Sequence, residues 1–159
     1  MMAPQSLQVD LSRQGQSRGW IPSRAEIGRW ASAALGRRAA GAELAVRVVA
    51  RPESRRLNAQ YRGKDRPTNV LSFPVPAEGL SLPRAPRPLG DLVICPAVVR
   101  AEAKEQSKSL RAHWAHMVVH GALHLVGYDH MEPAEASRME RREIAVLKSF
   151  GIANPYRSF

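Results

Sequence analysis

The sequence is poor in cysteine and aromatic residues, and it has no long apolar run. Cys95 is the one cysteine among 159 residues. That excludes a disulfide within the chain and suits a reducing cytoplasm, the expected location. Cys95 lies in the apolar stretch GDLVIC, where a buried, unreactive thiol is expected. No stretch of 18 or more apolar residues occurs, so neither a membrane-spanning helix nor a membrane partner is expected. The first twenty residues lack the apolar core of a signal peptide. Phe, Trp and Tyr make up 6% of the chain, and no aromatic-interleaved, RNP-type RNA-binding stretch is present. Acidic residues are in deficit: 14 Asp and Glu face 24 Lys and Arg, for a net charge of +10. The excess is uneven. Residues 1–90 hold 15 basic and 6 acidic side chains, residues 91–159 hold 9 and 8. A basic half points to an anionic partner, nucleic acid first, although solvated arginines alone would give the same count.

What is present reads as one domain over residues 1–159, with 44% apolar residues to build its core. LQVDLS alternates apolar residues at 7, 9 and 11 and predicts a strand. SRAEIGRWASAAL opens with Ser23 and carries Glu26 three residues on, a capping box ahead of a helix. ELAVRVVA predicts a second strand, and Pro52 starts a second helix. NVLSFPV and GDLVIC predict two more strands. The connection between them, PAEGLSLPRAPRPLG, has prolines at 76, 83, 86 and 88 and predicts a mobile surface loop. Helices are predicted from Pro96 to about Ser107, from Leu110 to Val126 and from Pro133 to Phe150. The order implies an α+β fold with a small four-stranded mixed sheet and about five helices.

All five histidines fall between His113 and His130, and HGALHLVGYDH holds three of them at i, i+4 and i+10. On a helix, i and i+4 share a face about 6 Å apart along the axis, so His120 and His124 can grip one ion. His130 could not join them on a continuing helix, where it would lie about 240° round the axis from His124 and about 9 Å further along. Gly127 can end the helix, because glycine takes a left-handed C′ conformation without steric cost. Three imidazoles can then converge. Three neutral imidazoles suit zinc, one ion per chain, with a fourth position left for water, which is the catalytic pattern. A closed structural site would need a fourth ligand, which Cys95 or Asp129 could supply. The spacing also matches the zincin pattern H-E-x-x-H-x-x-G-x-x-H, except that Gly121 stands where the general-base glutamate belongs. A peptidase of that mechanism is disfavoured.

HGALHLVGYDH, LNAQYRGKDRPTNVLSFP and GDLVICPAVV, which together span much of residues 57–130, resemble the blocks of the YbeY family of bacterial ribosomal-RNA maturation factors. The resemblance implies an α+β fold with a zincin-like metal site. It also implies a single-strand-specific, metal-dependent endoribonuclease that acts in 16S rRNA 3′-end maturation and late ribosome quality control in the cytoplasm. The family's zinc histidines map onto His120, His124 and His130, and its functionally important arginine maps onto Arg62. The partners this implies are ribosomal RNA and the small ribosomal subunit, with ribosomal proteins and an assembly GTPase as further candidates and DNA not expected. In such a site Arg62 would bind phosphate oxygens as the catalytic cation, and Lys64 and Arg66 would extend the RNA grip along the backbone. Two other readings stay open: a ribosome-assembly RNA-binding factor whose metal is mainly structural, and a metallohydrolase on another substrate.

The remaining features have plainer readings. His113 and His116 are expected as packing groups or as partners of the ligands. Asp129 is expected either to orient an imidazole or to cap the next helix. The acidic residues Glu132, Glu135, Glu140 and Glu143, interleaved with Arg138, Arg141 and Arg142, predict a solvated helix with paired charges. Met131, Met139, Trp20, Trp30 and Trp114 are expected to pack in the interior.

Overall fold

The computed structural model describes residues 6–76, 85–129 and 131–157. In chain order these are β1 (Gln8–Arg13), α1 (Arg24–Leu35), β2 (Ala42–Val48), α2 (Arg51–Arg62), β3 (Val70–Pro74), β4 (Arg87–Ile94), α3 (Pro96–Glu105), α4 (Leu110–Leu125) and α5 (Pro133–Ser149), with a 3₁₀ turn at Gly36–Ala39. The fold is α+β, as the order of patterns predicts. The four strands form one mixed sheet in the order β1-β2-β4-β3. β1, β2 and β4 run parallel, and β3 lies antiparallel to β4 on the edge. Among the described residues no helix is long and apolar enough to cross a membrane.

Period-two burial decides the faces of the sheet. Leu44, Val46 and Val48 of β2 and Leu92 and Ile94 of β4 join the main core with α1, α4 and α5. Val93 and Leu71 point the other way, into a smaller cluster with Val49, Leu57 and Cys95 that packs under α2 and α3. Cys95 is fully buried there, as expected. The Ser23 capping box forms, with Glu26 N–H on Ser23 Oγ and Ser23 N–H on Glu26 Oε1. Such a cap stabilises a helix start by about 1 kcal/mol.

α4 is the central helix. Trp114, Ala115, Val118, Val119, Ala122 and Leu123 are all fully buried, so most of its surface is enclosed by other elements, with a histidine stripe on the remaining side. It packs against α1, α3, α5, β3 and β4. It stops as the glycine predicts. Gly127 has φ +99°, its N–H reaches His124 O at 3.2 Å, and Tyr128 N–H reaches Leu123 O at 3.1 Å. Those are the paired bonds of a Schellman ending.

Three expectations need correction. β4 begins at Arg87, so the end of the predicted proline-rich loop is strand. Pro88 pairs with Glu43 where the β2–β4 register shifts, the irregular position at which a sheet tolerates a residue without an N–H. Residues 77–84 of that loop lie outside the described residues. Trp20 is 41% exposed and carries the Arg111 guanidinium 5.3 Å from its ring centre, a surface cation–π contact in place of core packing. Met131 is 78% exposed, in the turn between α4 and α5, where it lines a surface cleft. Trp30, Trp114 and Met139 are interior, as expected.

Candidate active site

Three segments meet around one cleft of about 470 Å³. The end of α2 and the loop after it line it with Arg62, Lys64 and Arg66; the start of β3 adds Asn69 and Ser72; α4 adds His120 and His124. No acidic side chain lines it among the described residues. A larger groove of about 780 Å³ between β1 and α1 is lined by Leu7, Val9, Ala25, Arg24 and Arg29 and offers no histidine or carboxylate.

The cationic side is pinned from within. Gly63 closes α2 in a left-handed turn at φ +70°. The buried Asn58 amide donates to Arg66 O at 2.8 Å. Ser54 Oγ donates to Thr68 O at 3.0 Å and accepts from Thr68 N–H at 2.9 Å. Arg55 grips Asp65 with two bonds of 2.7 and 3.0 Å, which spends the acidic charge of this loop away from the cleft. Arg62, Lys64 and Arg66 are therefore presented together.

The histidine side is held by carboxylates behind it. Glu143 of α5 is fully buried, which overturns its expected place on a solvated face. Its Oε1 accepts from His120 Nδ1 at 2.6 Å, its Oε2 accepts from His116 Nε2 at 3.0 Å, and Tyr156 Oη–H also donates to Oε2. Burial alone would raise the Glu143 carboxyl. Hydrogen bonds from His116, His120 and Tyr156 outweigh it and bring it down to about 2. An ionised carboxylate only accepts, so His120 donates to it from Nδ1 and turns its Nε2 toward His124. Burial, set against the pull of Glu143, pushes the His116 imidazolium down, which favours the neutral ring. Among the described residues its Nδ1 has no partner, tolerable for a lone pair because His116 has placed its N–H on Glu143. Burial and the Glu143 hydrogen bond both raise the Tyr156 phenol, so it stays a donor.

His113 belongs to a second pairing, Nε2 to Glu102 Oε1 at 2.9 Å, and Asn69 Nδ2 reaches the same carboxylate at 3.0 Å. Burial raises the Glu102 carboxyl, but the His113 and Asn69 bonds win and lower it overall. A depressed carboxyl stabilises the fold above its unfolded value of about 4.3, and that stability is lost as pH falls through the folded value. Glu102→Gln should therefore cost most at neutral pH, and its deficit should shrink from pH 5 downward. Urea unfolding at a series of pH values checks this, and a constant or growing deficit would contradict it.

Two groupings share His120. His116, His120 and Glu143 each offer a donor atom, all within 4.8 Å of one another, and could hold a metal. His120 and His124 bring their Nε2 atoms to 3.2 Å. Two nitrogens on one tetrahedral zinc at about 2.0–2.1 Å would lie about 3.3–3.4 Å apart. The facing pair lies close to that spacing, at a distance that also suits a hydrogen bond between the two rings, while the 2.6 Å between His120 Nδ1 and Glu143 Oε1 leaves no room for a shared ion. The His120–His124 side could therefore take an ion, with Glu143 on the far nitrogen of the His120 ring. His130, the third expected ligand, lies outside the described residues. Asp129 Oδ1 accepts from Met131 N–H at 3.3 Å in the turn ahead of α5.

Gly121, where a zincin would carry its glutamate, is buried in α4. A Cβ there would come within 2.8 Å of Leu92 Cδ2 and 3.3 Å of Ser72 Oγ, and Ser72 Oγ–H donates to its carbonyl at 3.2 Å. The position faces the sheet, with no space for a base.

Sequence reasoning missed Glu143 and Tyr156. A signal for Glu143 was present: it shares the stripe of Met139, Val146 and Leu147, all buried on α5.

An α+β scaffold whose central helix turns paired imidazoles toward a cation-lined cleft defines the class, a helix-borne histidine centre suited to anionic substrates. The chain belongs to the YbeY endoribonuclease family, whose family model, Endoribonuclease YbeY, matches residues 21–151. It is 55% identical over 150 residues to the Endoribonuclease YbeY of Methylococcus capsulatus, covering 94% of this chain and 96% of that protein. Its fold is similar to the solution structure of TM1509 from Thermotoga maritima, at a TM-score of 0.55 and 22% identity over 96% of this chain and 99% of that one.

Proposed function

We propose that this chain is a zinc-dependent endoribonuclease that cuts single-stranded RNA, acting in the cytoplasm on 16S rRNA 3′ ends and in late ribosome quality control. The observation that carries the reading is the cleft itself. Three cationic side chains and two facing imidazoles line it, with no acid among the described residues. Family membership and the name of the 55% identical relative support RNA as the substrate. Ribosomal RNA and the small subunit are the proposed partners, reached through the basic half of the chain.

His120, His124 and His130 would hold the ion. When bound, zinc supplies a Lewis acid for a phosphoryl oxygen and lowers the pKa of a coordinated water toward neutrality. The chain's own groups do the rest. Arg62 binds non-bridging phosphate oxygens and offsets the charge that grows on them. Lys64 and Arg66 hold flanking phosphates and set the strand's register. Glu143 holds the proton on His120 Nδ1, so this imidazole cannot swing out of line.

The test is cleavage of a labelled RNA carrying single-stranded and duplex segments. Cuts should fall in the single strand only, and raising salt should weaken binding steeply. Arg62→Glu should lower cleavage by about a hundredfold, the worth of roughly 1.5–3 kcal/mol for a charge-assisted hydrogen bond, with zinc content unchanged. Cleavage and binding both at wild-type level in Arg62→Glu would remove Arg62 from the mechanism. Indifference to strandedness would remove the substrate assignment.

A further inference from the structure

The tail after α5 returns to the histidines, and nothing in a bare ligand set requires it to. Gly151 turns at φ +75°, and Ile152 N–H bonds back to Leu147 O at 3.0 Å. Lys108 Nζ, just ahead of α4, donates to Pro155 O at 3.1 Å. Tyr156 N–H is fixed on Asn154 Oδ1 at 2.8 Å. The Tyr156 ring then stands edge-on to His116, with centroids 5.4 Å apart, and its hydroxyl reaches Glu143. The residue is still 42% exposed, so apolar burial is a poor account of its placement. What it delivers inward is one hydroxyl to one carboxylate.

That hydroxyl completes a three-donor grip. His120 holds one oxygen of Glu143, while His116 and Tyr156 hold the other. The oxygen that does not meet His120 thus has two donors, and rotating the carboxylate off His120 Nδ1 would break the Tyr156 bond as well as the His116 one. We propose that Tyr156 is a positioning residue: through Glu143 it holds the His120 Nδ1–H in place, with Nε2 turned toward His124. The C-terminal tail therefore sets the metal affinity of a cleft it does not line. The zinc consequence rests on the metal reading above, and the hold on Nδ1–H does not.

Tyr156→Phe in the full chain tests both, since it keeps the ring against His116 and removes only the hydroxyl. Zinc affinity, measured by competition with a chelating dye, should weaken about tenfold, the low end of what losing a partner of a ligand costs. The melting temperature of the metal-free protein should stay within a few degrees of wild type. In metal-free protein at neutral pH, ¹⁵N shifts of His120 should report the Nδ1–H form in the wild type and a mixture in the variant. Unchanged zinc affinity and an unchanged tautomer would overturn the proposal. If the variant does not fold, the wild type alone decides: a His120 ring protonated on Nε2 would overturn it. If the wild type binds no zinc, the metal reading fails, and the ¹⁵N comparison still decides the role of Tyr156.

Discussion

His124→Ala protein is expected to fold, to keep its grip on RNA and to lose cleavage by about a thousandfold or more. The size follows from what one side chain controls. His124 Nε2 lies 3.2 Å from His120 Nε2, and with it gone the proposed ion keeps one described ligand. Lewis-acid stabilisation of a phosphoryl transition state is worth several kcal/mol, and each step of about 1.4 kcal/mol is a factor of ten in rate. Folding should survive, because His124 is partly exposed at the end of α4, and the apolar core is built from Trp114, Val118, Ala122 and Leu123. Binding should survive because Arg62, Lys64 and Arg66 stand on other elements. Chelation of the wild type should reproduce the loss and add nothing to the variant. Rate, bound zinc and RNA affinity measured together check this. A variant that cuts at the wild-type rate would show that the histidine pair is not catalytic. One that loses RNA binding along with cleavage would favour an RNA-binding factor with a structural metal.

Gly121→Glu, which completes the zincin H-E-x-x-H, should yield an unstable protein and no peptidase. A bare Cβ at 121 already comes within 2.8 Å of Leu92 Cδ2 and 3.3 Å of Ser72 Oγ. Overpacking of this kind costs about 1–3 kcal/mol. The carboxylate would then enter the seam between helix and sheet with Ser72 Oγ as its nearest polar neighbour, and a poorly compensated buried charge costs about 3–5 kcal/mol more. A loss of roughly 4 kcal/mol or more is expected, enough to unfold a marginal domain. Gly121→Ala should show only the packing part. Urea denaturation measures both. If Gly121→Glu melts within a degree or two of wild type, position 121 has open space and the close packing of α4 on the sheet is wrong.

Much of this was legible in local pattern. Alternation gave β1, the β-branched residues of ELAVRVVA gave β2, the Ser23–Glu26 pair gave the start of α1, and Gly127 gave the end of α4, because each depends on neighbouring residues. The histidine spacing, likewise local, placed His120 and His124 together on the cleft. What was not legible depends on contacts between distant segments. Glu143 was read with Glu140 and the neighbouring arginines as part of a solvated face, since its partners His116 and His120 lie 27 and 23 residues away. The better guide was its register with Met139, Val146 and Leu147: a carboxylate on an apolar stripe must have donors waiting, or the desolvation cost would exclude it. Tyr156 is 40 residues from His116, on a tail with no periodicity to read. Trp20 and Met131 were assigned to the interior by residue type, and type says little about what neighbouring elements leave uncovered. Pro88 disguised the start of β4, because a proline argues against a strand unless the register shift beside it is known.

The proposed ion sits on the Nε2 side of His120, with Glu143 behind it. Anomalous diffraction from crystals grown with zinc tests this most directly. One peak is predicted about 2.0–2.1 Å from Nε2 of both His120 and His124, with His130 as the third ligand, one coordination position open to the cleft, and Glu143 still bonded to His120 Nδ1. A peak lodged instead among His116, His120 Nδ1 and Glu143, or no peak near His124, would contradict it.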